Sequence, residues 1–157
     1  MIILIKLILA HLIGDFLLQP KSWVKEKEKQ KAKSPKLYAH ALIHGLLVLF
    51  LLWDFSYWLL ALFIMALHGI IDTIKLYAQQ EKSKSTWFFI DQLLHIISIL
   101  MLWIIFFNPE LNVESWMQNP AIWIYATAIL FITIASGIVM QVLMQSWSKE
   151  LEEGNGE

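Results

Sequence analysis

Five long apolar segments constrain the fold of this chain more than any other feature of its sequence. They cover residues 1–19, 37–53, 57–78, 87–107 and 121–146, and a stretch of roughly 17–25 apolar residues is long enough to cross a bilayer as a helix. The chain is 58% hydrophobic and 16% charged, whereas an average soluble domain carries about 25% charged residues. The sequence therefore predicts an all-α, polytopic membrane helix bundle with five transmembrane helices.

The distribution of lysine predicts how this bundle is oriented. The connection 20–36 contains seven lysines, whereas the connection Asn108–Pro120 contains none. Lysine-rich loops tend to remain on the cytoplasmic side of a membrane, so the N-terminus is predicted to lie outside and the C-terminus inside. We assign residues 1–147 to a single transmembrane domain and residues 148–157 to an acidic cytoplasmic tail.

Ionisable residues occur in pairs within four of the five predicted spans. Such residues are costly inside a bilayer and are therefore candidates for function. Each pair has the spacing i, i+4, which puts both side chains on one face of a helix. The pairs contain all five histidines and three of the aspartates: His11 and Asp15, His40 and His44, His68 and Asp72, and Asp91 and His95.

The four pairs also have matching depths in the predicted bundle. Counted from the cytoplasmic helix ends, one member of each pair lies about 6 Å deeper than the other, at 1.5 Å per residue. The deeper members are His11, His44, His68 and His95, and the shallower members are Asp15, His40, Asp72 and Asp91. Antiparallel helices require the order of deep and shallow residues to reverse from one span to the next, and the sequence has this reversal. We therefore expect one site built from four helices.

Imidazole and carboxylate side chains are the ligands that Zn²⁺, Fe²⁺ and Mn²⁺ use in proteins. We predict one or two divalent ions bound by all eight residues, with zinc as the first choice. The chain has no cysteine, so thiolate ligands are excluded. Two divalent ions, three aspartates and one hydroxide would be neutral together, as a low-dielectric interior requires. A purely structural polar network and axial ligation of haem are the two competing interpretations.

Three further polar residues lie beside the pairs. Gln19 continues the face of the first pair, Lys75 follows the third pair by three residues, and Gln92 adjoins the fourth pair. We treat Gln19, Lys75 and Gln92 as candidate cofactor-binding or substrate-binding residues. Each of them is equally well placed to cap a helix end.

The predicted site favours a metal-dependent hydrolase that acts on an amphiphilic phosphate or ester at the cytoplasmic leaflet. Asp15, Asp72 and Asp91 are then the catalytic candidates, as metal ligands or as a general base. The alternative is a transporter or sensor for divalent metal or protons, because intramembrane His and Asp also build relays. The outer halves of the spans are nearly all apolar, which weighs against a conduit. A haem-binding redox protein is the third hypothesis.

A resemblance to a known family rests on the same residues. The segments His11–Gln19, His68–Lys75 and Asp91–His95, with His40 and His44, resemble an uncharacterised family of small bacterial integral-membrane proteins, a domain of unknown function. The resemblance covers residues 1–107 and implies no established activity. More loosely, the chain is similar to bacterial membrane-bound metal-dependent hydrolases, although it lacks their usual Pro-Asp element.

The resemblance implies a multi-pass protein of the bacterial cytoplasmic membrane. We expect membrane lipids, and a lipid-like substrate, to be its partners, and we expect no nucleic acid. The fifth predicted span contains no ionisable pair, so it is a candidate surface for oligomer formation.

Overall fold

The computed structural model describes residues 2–110 and 118–130, and within these ranges the chain is helical with short turns and without strands. The described residues fall into two compact units, one within Met1–Pro109 and the other within Glu110–Glu157. The first unit contains α1 (Ile2–Leu12), α2 (Lys21–Gln30), α3 (Pro35–Leu52), α4 (Trp58–Ala78) and α5 (Lys84–Phe107). The second contains α6 (Pro120–Leu130). The prediction of an all-α fold is confirmed for these residues.

The limits of the long helices follow from local sequence. The Ser34 side chain accepts a hydrogen bond from the first turn of α3, and Pro35 occupies the first helical position, where a missing N–H is harmless. Trp53 ends α3 in the left-handed conformation, with φ of 55°. Asp54 then accepts a hydrogen bond from the backbone two residues on and starts the short 3₁₀ turn before α4. Asn108, a residue type that tolerates the left-handed region, ends α5.

Within residues 2–110 and 118–130, three helical segments are long and apolar enough to cross a membrane: α3, the segment Phe55–Ala78 that includes α4, and α5. A fourth span results if Ile2–Leu17 and Lys21–Lys33 are counted as one, although these two parts are bent by 85°. Four of the five predicted spans therefore correspond to helices of the first unit. The fifth is described only as far as Leu130, and its remainder, like the predicted tail 148–157, lies outside the described residues.

Helices α1, α3, α4 and α5 form a closed ring in which each helix contacts the next. Large apolar side chains cover the outside of the ring, and Phe50, Phe89 and Ile105 are each more than half exposed. The interior contains polar groups instead, including His40 at 0% and Asp91 at 2% exposure. This distribution is the reverse of a soluble bundle, and it fits an exterior solvated by lipid.

An apolar layer closes one side of the ring interior. Leu7, Val48, Ile64 and Ile99 each lie four residues from a histidine on their own helix and are at most 7% exposed. Residues four apart lie above one another on a helix, so these side chains form a layer directly beside the histidines. The layer lies on the side of the histidines away from α2.

Helix α2 covers the opposite end of the ring. It leaves the first helix at an angle of 85° and contacts α3. Its acidic residues turn inward, since Glu26 accepts a hydrogen bond from Ser34 and Glu28 pairs with Lys84 at 3.1 Å. Lys21, Lys25 and Lys29 are exposed, but Lys27 is only 4% exposed. The connection 20–36, predicted only as a lysine-rich loop, is therefore largely a folded helix.

Candidate metal centre

The four predicted pairs meet inside the helix ring. Seven of their eight residues are at most 5% exposed, and the side chain of the eighth, Asp15, is 11% exposed. Helix α1 and the turn after it supply His11 and Asp15, α3 supplies His40 and His44, α4 supplies His68 and Asp72, and α5 supplies Asp91 and His95. We call these eight residues the His/Asp cluster.

A π-helical turn directs Asp15 into the cluster. The turn spans Ile13–Leu17, and such turns inside a helix are frequent at functional sites. Asp15 Oδ1 lies 3.2 Å from His40 Nε2, 3.1 Å from His44 Nε2 and 3.5 Å from His68 Nε2. The Oδ1 atom therefore faces α3 and α4, a detail that the spacing from His11 does not predict, while the Oδ2 atom lies 3.9 Å from His11 Nε2.

Among the described residues, Gly14, Gly45 and Gly69 lie at contacts between helices, and Gly14 leaves the least room for a side chain. A Cβ atom built on Gly14 would lie 2.3–2.9 Å from ring atoms of His44, which is closer than non-bonded atoms can approach. A Cβ on Gly69 would meet Ala41 Cβ at 3.5 Å, an ordinary contact. Gly14 therefore allows α1 to approach the imidazole of His44.

We expect Gly14→Ala to destabilise the protein by about 1–3 kcal/mol, because the added methyl group overpacks the site against the ring of His44. Gly69→Ala is the matched control and should be neutral or slightly stabilising, because alanine favours the helix over glycine. Denaturant unfolding in detergent micelles, followed by circular dichroism, measures both effects. Equal stabilities of the two variants would contradict the close packing described for Gly14.

His68 lies at the centre of the imidazole groups. Its ring stacks on that of His44 with centroids 3.6 Å apart, and on that of His95 with centroids 4.1 Å apart. Its Nε2 atom is 3.0 Å from His40 Nε2. Two imidazole nitrogens at this distance either share one proton or bind one ion together.

In each of the three carboxylates the two oxygen atoms have different partners, and the pattern is the same in all three. The Oδ1 atoms face imidazoles, since Asp15 Oδ1 lies among three Nε2 atoms and the Oδ1 atoms of Asp72 and Asp91 lie 3.6 and 3.5 Å from His95 Nε2. The Oδ2 atoms instead accept hydrogen bonds from lysine or glutamine side chains. Metal-binding carboxylates are commonly held by outer hydrogen bonds of this kind.

The donor atoms are close enough together to share an ion. Three overlapping groups have ligand atoms that all lie within 4.8 Å of one another. Ligands at about 2.0–2.1 Å from a tetrahedral zinc lie roughly 3.3 Å apart, close to the distances around Asp15 Oδ1. The three groups are His11, Asp15, His44 and His68; His40, His68 and Asp72; and Asp15, Asp91 and His95.

Several buried atoms of the cluster lack hydrogen bonds within the described part of the chain. They are His11 Nδ1, Asp15 Oδ1, His40 Nδ1, His44 Nε2, Asp91 Oδ1 and His95 Nε2. Buried polar side-chain atoms normally have a partner, and unpaired ones call for an explanation. Four of these six atoms are Oδ1 or Nε2 atoms that face the other members of the cluster, as metal ligands would.

The three polar residues predicted beside the pairs all contact the cluster. Gln19 Nε2 lies 2.6 Å from His40 Nε2, and the ammonium group of Lys75 donates to Asp91 Oδ2 at 2.8 Å. Gln92 Nε2 donates to Asp15 Oδ2 at 2.9 Å, while its Oε1 lies 3.3 Å from His11 Nε2. These side chains therefore orient the members of the cluster rather than cap helix ends.

Sequence reasoning missed Lys27. Its ammonium group lies 2.6 Å from Asp72 Oδ2, and both side chains are at most 7% exposed. The only signal in the sequence is that Lys27 shares a helix face with Val24 and Lys31, at spacings of three and four residues. Lys31 lies on the same side and donates a hydrogen bond to the backbone carbonyl of Leu76.

The two sides of the cluster differ in access and polarity. On the side of α2, a cavity of about 50 Å³ is lined by Asp15, Asp72 and Asp91 together with Lys27, Lys75 and Gln19. This space suffices for about three water molecules at roughly 15 Å³ each. On the side of the apolar layer, the cavity measures only about 10 Å³ and is lined by four histidines, Ser98 and apolar residues. The cluster is therefore open to water-sized molecules mainly from the side of α2.

The fold and the site define a class of protein: a helical bundle with three or four helices able to span a membrane and a buried His/Asp cluster between them. The chain belongs to the family described as "Protein of unknown function (DUF3307)", whose model matches residues 3–124. The match includes every residue of the cluster. No curated protein and no solved structure matches the chain.

Proposed function

We propose that this protein binds a divalent metal ion in the membrane and acts as a metal-dependent hydrolase on an amphiphilic phosphate or ester at the cytoplasmic leaflet. In this proposal the chain crosses the bacterial cytoplasmic membrane five times, with its N-terminus outside. The observation that supports it most is the convergence of carboxylate Oδ1 and imidazole Nε2 atoms on one buried centre. Imidazole with carboxylate favours zinc, and then iron or manganese.

The two lysines that pair with the aspartates, buried Lys27 and partly exposed Lys75, change the expected number of ions. Asp15, Asp72 and Asp91 contribute three negative charges, and Lys27 and Lys75 contribute two positive charges, so the site carries a net charge of −1 with neutral histidines. One divalent ion with one hydroxide makes the site neutral, as burial favours. Two ions with one hydroxide would leave it at +2. We therefore propose a single ion.

The polar residues around the cluster are an argument for hydrolysis as the proposed activity. A bound divalent ion lowers the pKa of a coordinated water towards 7 and polarises an ester or phosphoryl oxygen. Among the described carboxylates of the cluster, Asp15 is the one held by a neutral amide rather than by a lysine. Its Oδ2 atom is therefore the carboxylate oxygen that we propose accepts a proton from water in the adjacent cavity, while its Oδ1 atom faces the imidazoles as a ligand. Asp72 and Asp91, each paired with a lysine, are suited to be ligands.

The alternative of a conduit for metal or protons is less well supported. A conduit needs a polar path on both sides of the cluster, but the side away from α2 is closed by Leu7, Val48, Ile64 and Ile99. A short chain of contacts does run from His68 through His40 to Gln19. This chain of contacts ends on the α2 side of the cluster, where the cavity lies, so it is consistent with proton exchange with water on the α2 side.

The proposed function predicts hydrolysis that depends on both metal and aspartate. Metal-loaded protein in proteoliposomes should hydrolyse a short-chain lipid phosphate or ester, and Asp15→Asn should reduce the rate by at least about 100-fold, because it removes a base and a ligand charge. Asp54→Asn is the control, since within the described part of the chain the Asp54 side chain accepts its hydrogen bond from Ser56 in its own turn. Metal flux through the same vesicles without hydrolysis would instead support the transporter.

The proposed topology is tested by reporter fusions. A reporter inserted within Lys25–Lys33 or fused after Glu157 should read as cytoplasmic, and one inserted within Asn112–Gln118 as external, because the lysines of 20–36 resist translocation. Substitution of Lys21, Lys25 and Lys29 by glutamine should weaken this preference while leaving buried Lys27 in place. An external reading at Lys25–Lys33 in the unmodified chain would invert the orientation and place the cavity on the outer side.

A further inference from the structure

We infer that the cavity between the His/Asp cluster and α2 is a binding site for a phosphoryl group, held by the ammonium groups of Lys27 and Lys75. This inference rests on the proposed metal site and selects phosphate over carboxylic esters as its substrate class. Both lysines line the cavity, together with the three aspartates of the cluster. They approach it from different helices, Lys27 from α2 and Lys75 from α4.

The ammonium groups of Lys27 and Lys75 have N–H donors that their hydrogen bonds to the described residues do not use. Each ammonium group carries three N–H bonds, but within the described residues Lys27 and Lys75 each donate one hydrogen bond, to Asp72 Oδ2 and Asp91 Oδ2. The remaining donors are available to an anion in the cavity. Because the chain contains no arginine, lysine and amide groups are its means of recognising phosphate at this depth.

The charge of the loaded site also calls for an anion. Without a bound hydroxide, the cluster, its two lysines and one divalent ion carry +1, so either a hydroxide or another anion is needed to make the site neutral. A buried site of net positive charge is unfavourable unless an anion enters it. A phosphate monoester supplies this charge, whereas a neutral carboxylic ester does not. Glu28, the other acid at the cavity, does not repel the anion strongly, since it is paired with Lys84 and Gln79.

The lysines further place the anion beside the ion. Each of them bonds the Oδ2 atom of an aspartate whose Oδ1 atom faces the imidazoles. The ammonium groups and the proposed metal therefore share the same aspartates, so a phosphoryl group bound by Lys27 and Lys75 would lie at the edge of the metal site. Substrate positioning of this kind is a major part of catalysis of phosphoryl transfer.

The test measures binding of inorganic phosphate and of a short-chain phosphatidic acid to zinc-loaded, full-length protein in detergent micelles. Both ligands should bind, and Lys75→Gln and Lys27→Gln should each weaken binding by about tenfold or more, since each removes a charge-assisted hydrogen bond. Lys25→Gln, an exposed position on α2, is the matched control and should bind like the unmodified protein. Stronger binding of phosphatidic acid than of phosphate identifies a lipid headgroup as the source, and the reverse identifies a free phosphate.

The other outcomes of this binding test show which of the two proposals, the metal site or the phosphoryl site, is overturned. Zinc uptake without phosphate binding, or phosphate binding that survives both lysine substitutions, overturns the phosphoryl site and leaves the metal site standing. A protein that takes up no divalent metal overturns both proposals. Lys75 is 23% exposed at its side chain, so Lys75→Gln keeps the test valid if the buried substitution Lys27→Gln impairs folding. Zinc content and helical content are measured on every variant, which separates loss of the anion from loss of the metal or the fold.

Discussion

His68→Gln should lower the affinity of the protein for divalent metal by more than about 100-fold. His68 belongs to two of the three groups of converging ligand atoms, and its ring stacks on those of His44 and His95. Loss of a hydrogen-bond partner outside the ligand shell already costs about 10- to 100-fold in metal affinity, so loss of a central ligand should cost more. Glutamine fills most of the space of imidazole, but its amide nitrogen is only a hydrogen-bond donor and cannot replace the imidazole nitrogen as a metal ligand.

Elemental analysis of purified protein, with the ratio of metal to chain, measures this effect directly. Ser98→Ala is a suitable control, because Ser98 lines the same small cavity as His68 while its hydroxyl donates to the backbone carbonyl of His95. The control should retain the metal content of the unmodified protein. One metal ion per chain in both variants would contradict a central role of His68 and favour a structural role for the imidazoles.

Lys27→Met should destabilise the metal-free protein by about 3–5 kcal/mol. Removal of one partner from a buried ion pair leaves the other charge uncompensated, and this is the cost measured for such changes. Lys27 and Asp72 are at most 7% exposed at their side chains, so the unpaired carboxylate is shielded from bulk solvent and is in reach only of the few waters that the adjacent cavity holds. Lys25→Met, two residues away on the exposed face of α2, should change stability by no more than about 0.5 kcal/mol.

The double variant Lys27→Met with Asp72→Asn tests whether the lost stability comes from the ion pair between these two residues. Removing both charges should recover most of the lost stability, because a buried pair replaced by neutral groups is often no less stable than the original. Denaturant unfolding in micelles with a chelator present gives the free energy of unfolding of the unmodified protein, of each single variant, Lys27→Met and Asp72→Asn, and of the double variant. These four values give the coupling energy between Lys27 and Asp72. A coupling near zero would mean that Lys27 and Asp72 are not paired in the folded protein.

The membrane helices could be predicted from sequence because their signal is local. A run of apolar residues of sufficient length forms a helix in lipid whatever its neighbours are, and α3, α4 and α5 agree with the spans predicted for 37–53, 57–78 and 87–107. The first helix shows the limit of this reasoning. It is interrupted at Ile13–Leu17 and followed by a bend of 85°, which hydropathy alone does not reveal.

The grouping of the eight His/Asp residues could also be predicted from the sequence. Spacing of four residues fixes each pair on one helix face, and the reversal of order between consecutive spans fixes their common depth. The burial of each pair then follows, because a polar face in a lipid-embedded bundle must turn towards the other helices. The same reasoning identified Gln19, Lys75 and Gln92, which all contact the cluster.

The sequence by itself therefore determined the long apolar helices, their polar faces and the membership of the cluster, because all three depend on residues within a few positions of one another, but it did not reveal helix α2. Only the tertiary structure decided which atoms face inward and how the charge is balanced. Lys27 and Asp72 are 45 residues apart, and they meet because α2 bends back across the end of the ring. Contacts between distant segments depend on turns and crossing angles that no local pattern encodes. For this reason the net charge of the site, and with it the single ion and the phosphoryl site that we propose, follows from the fold.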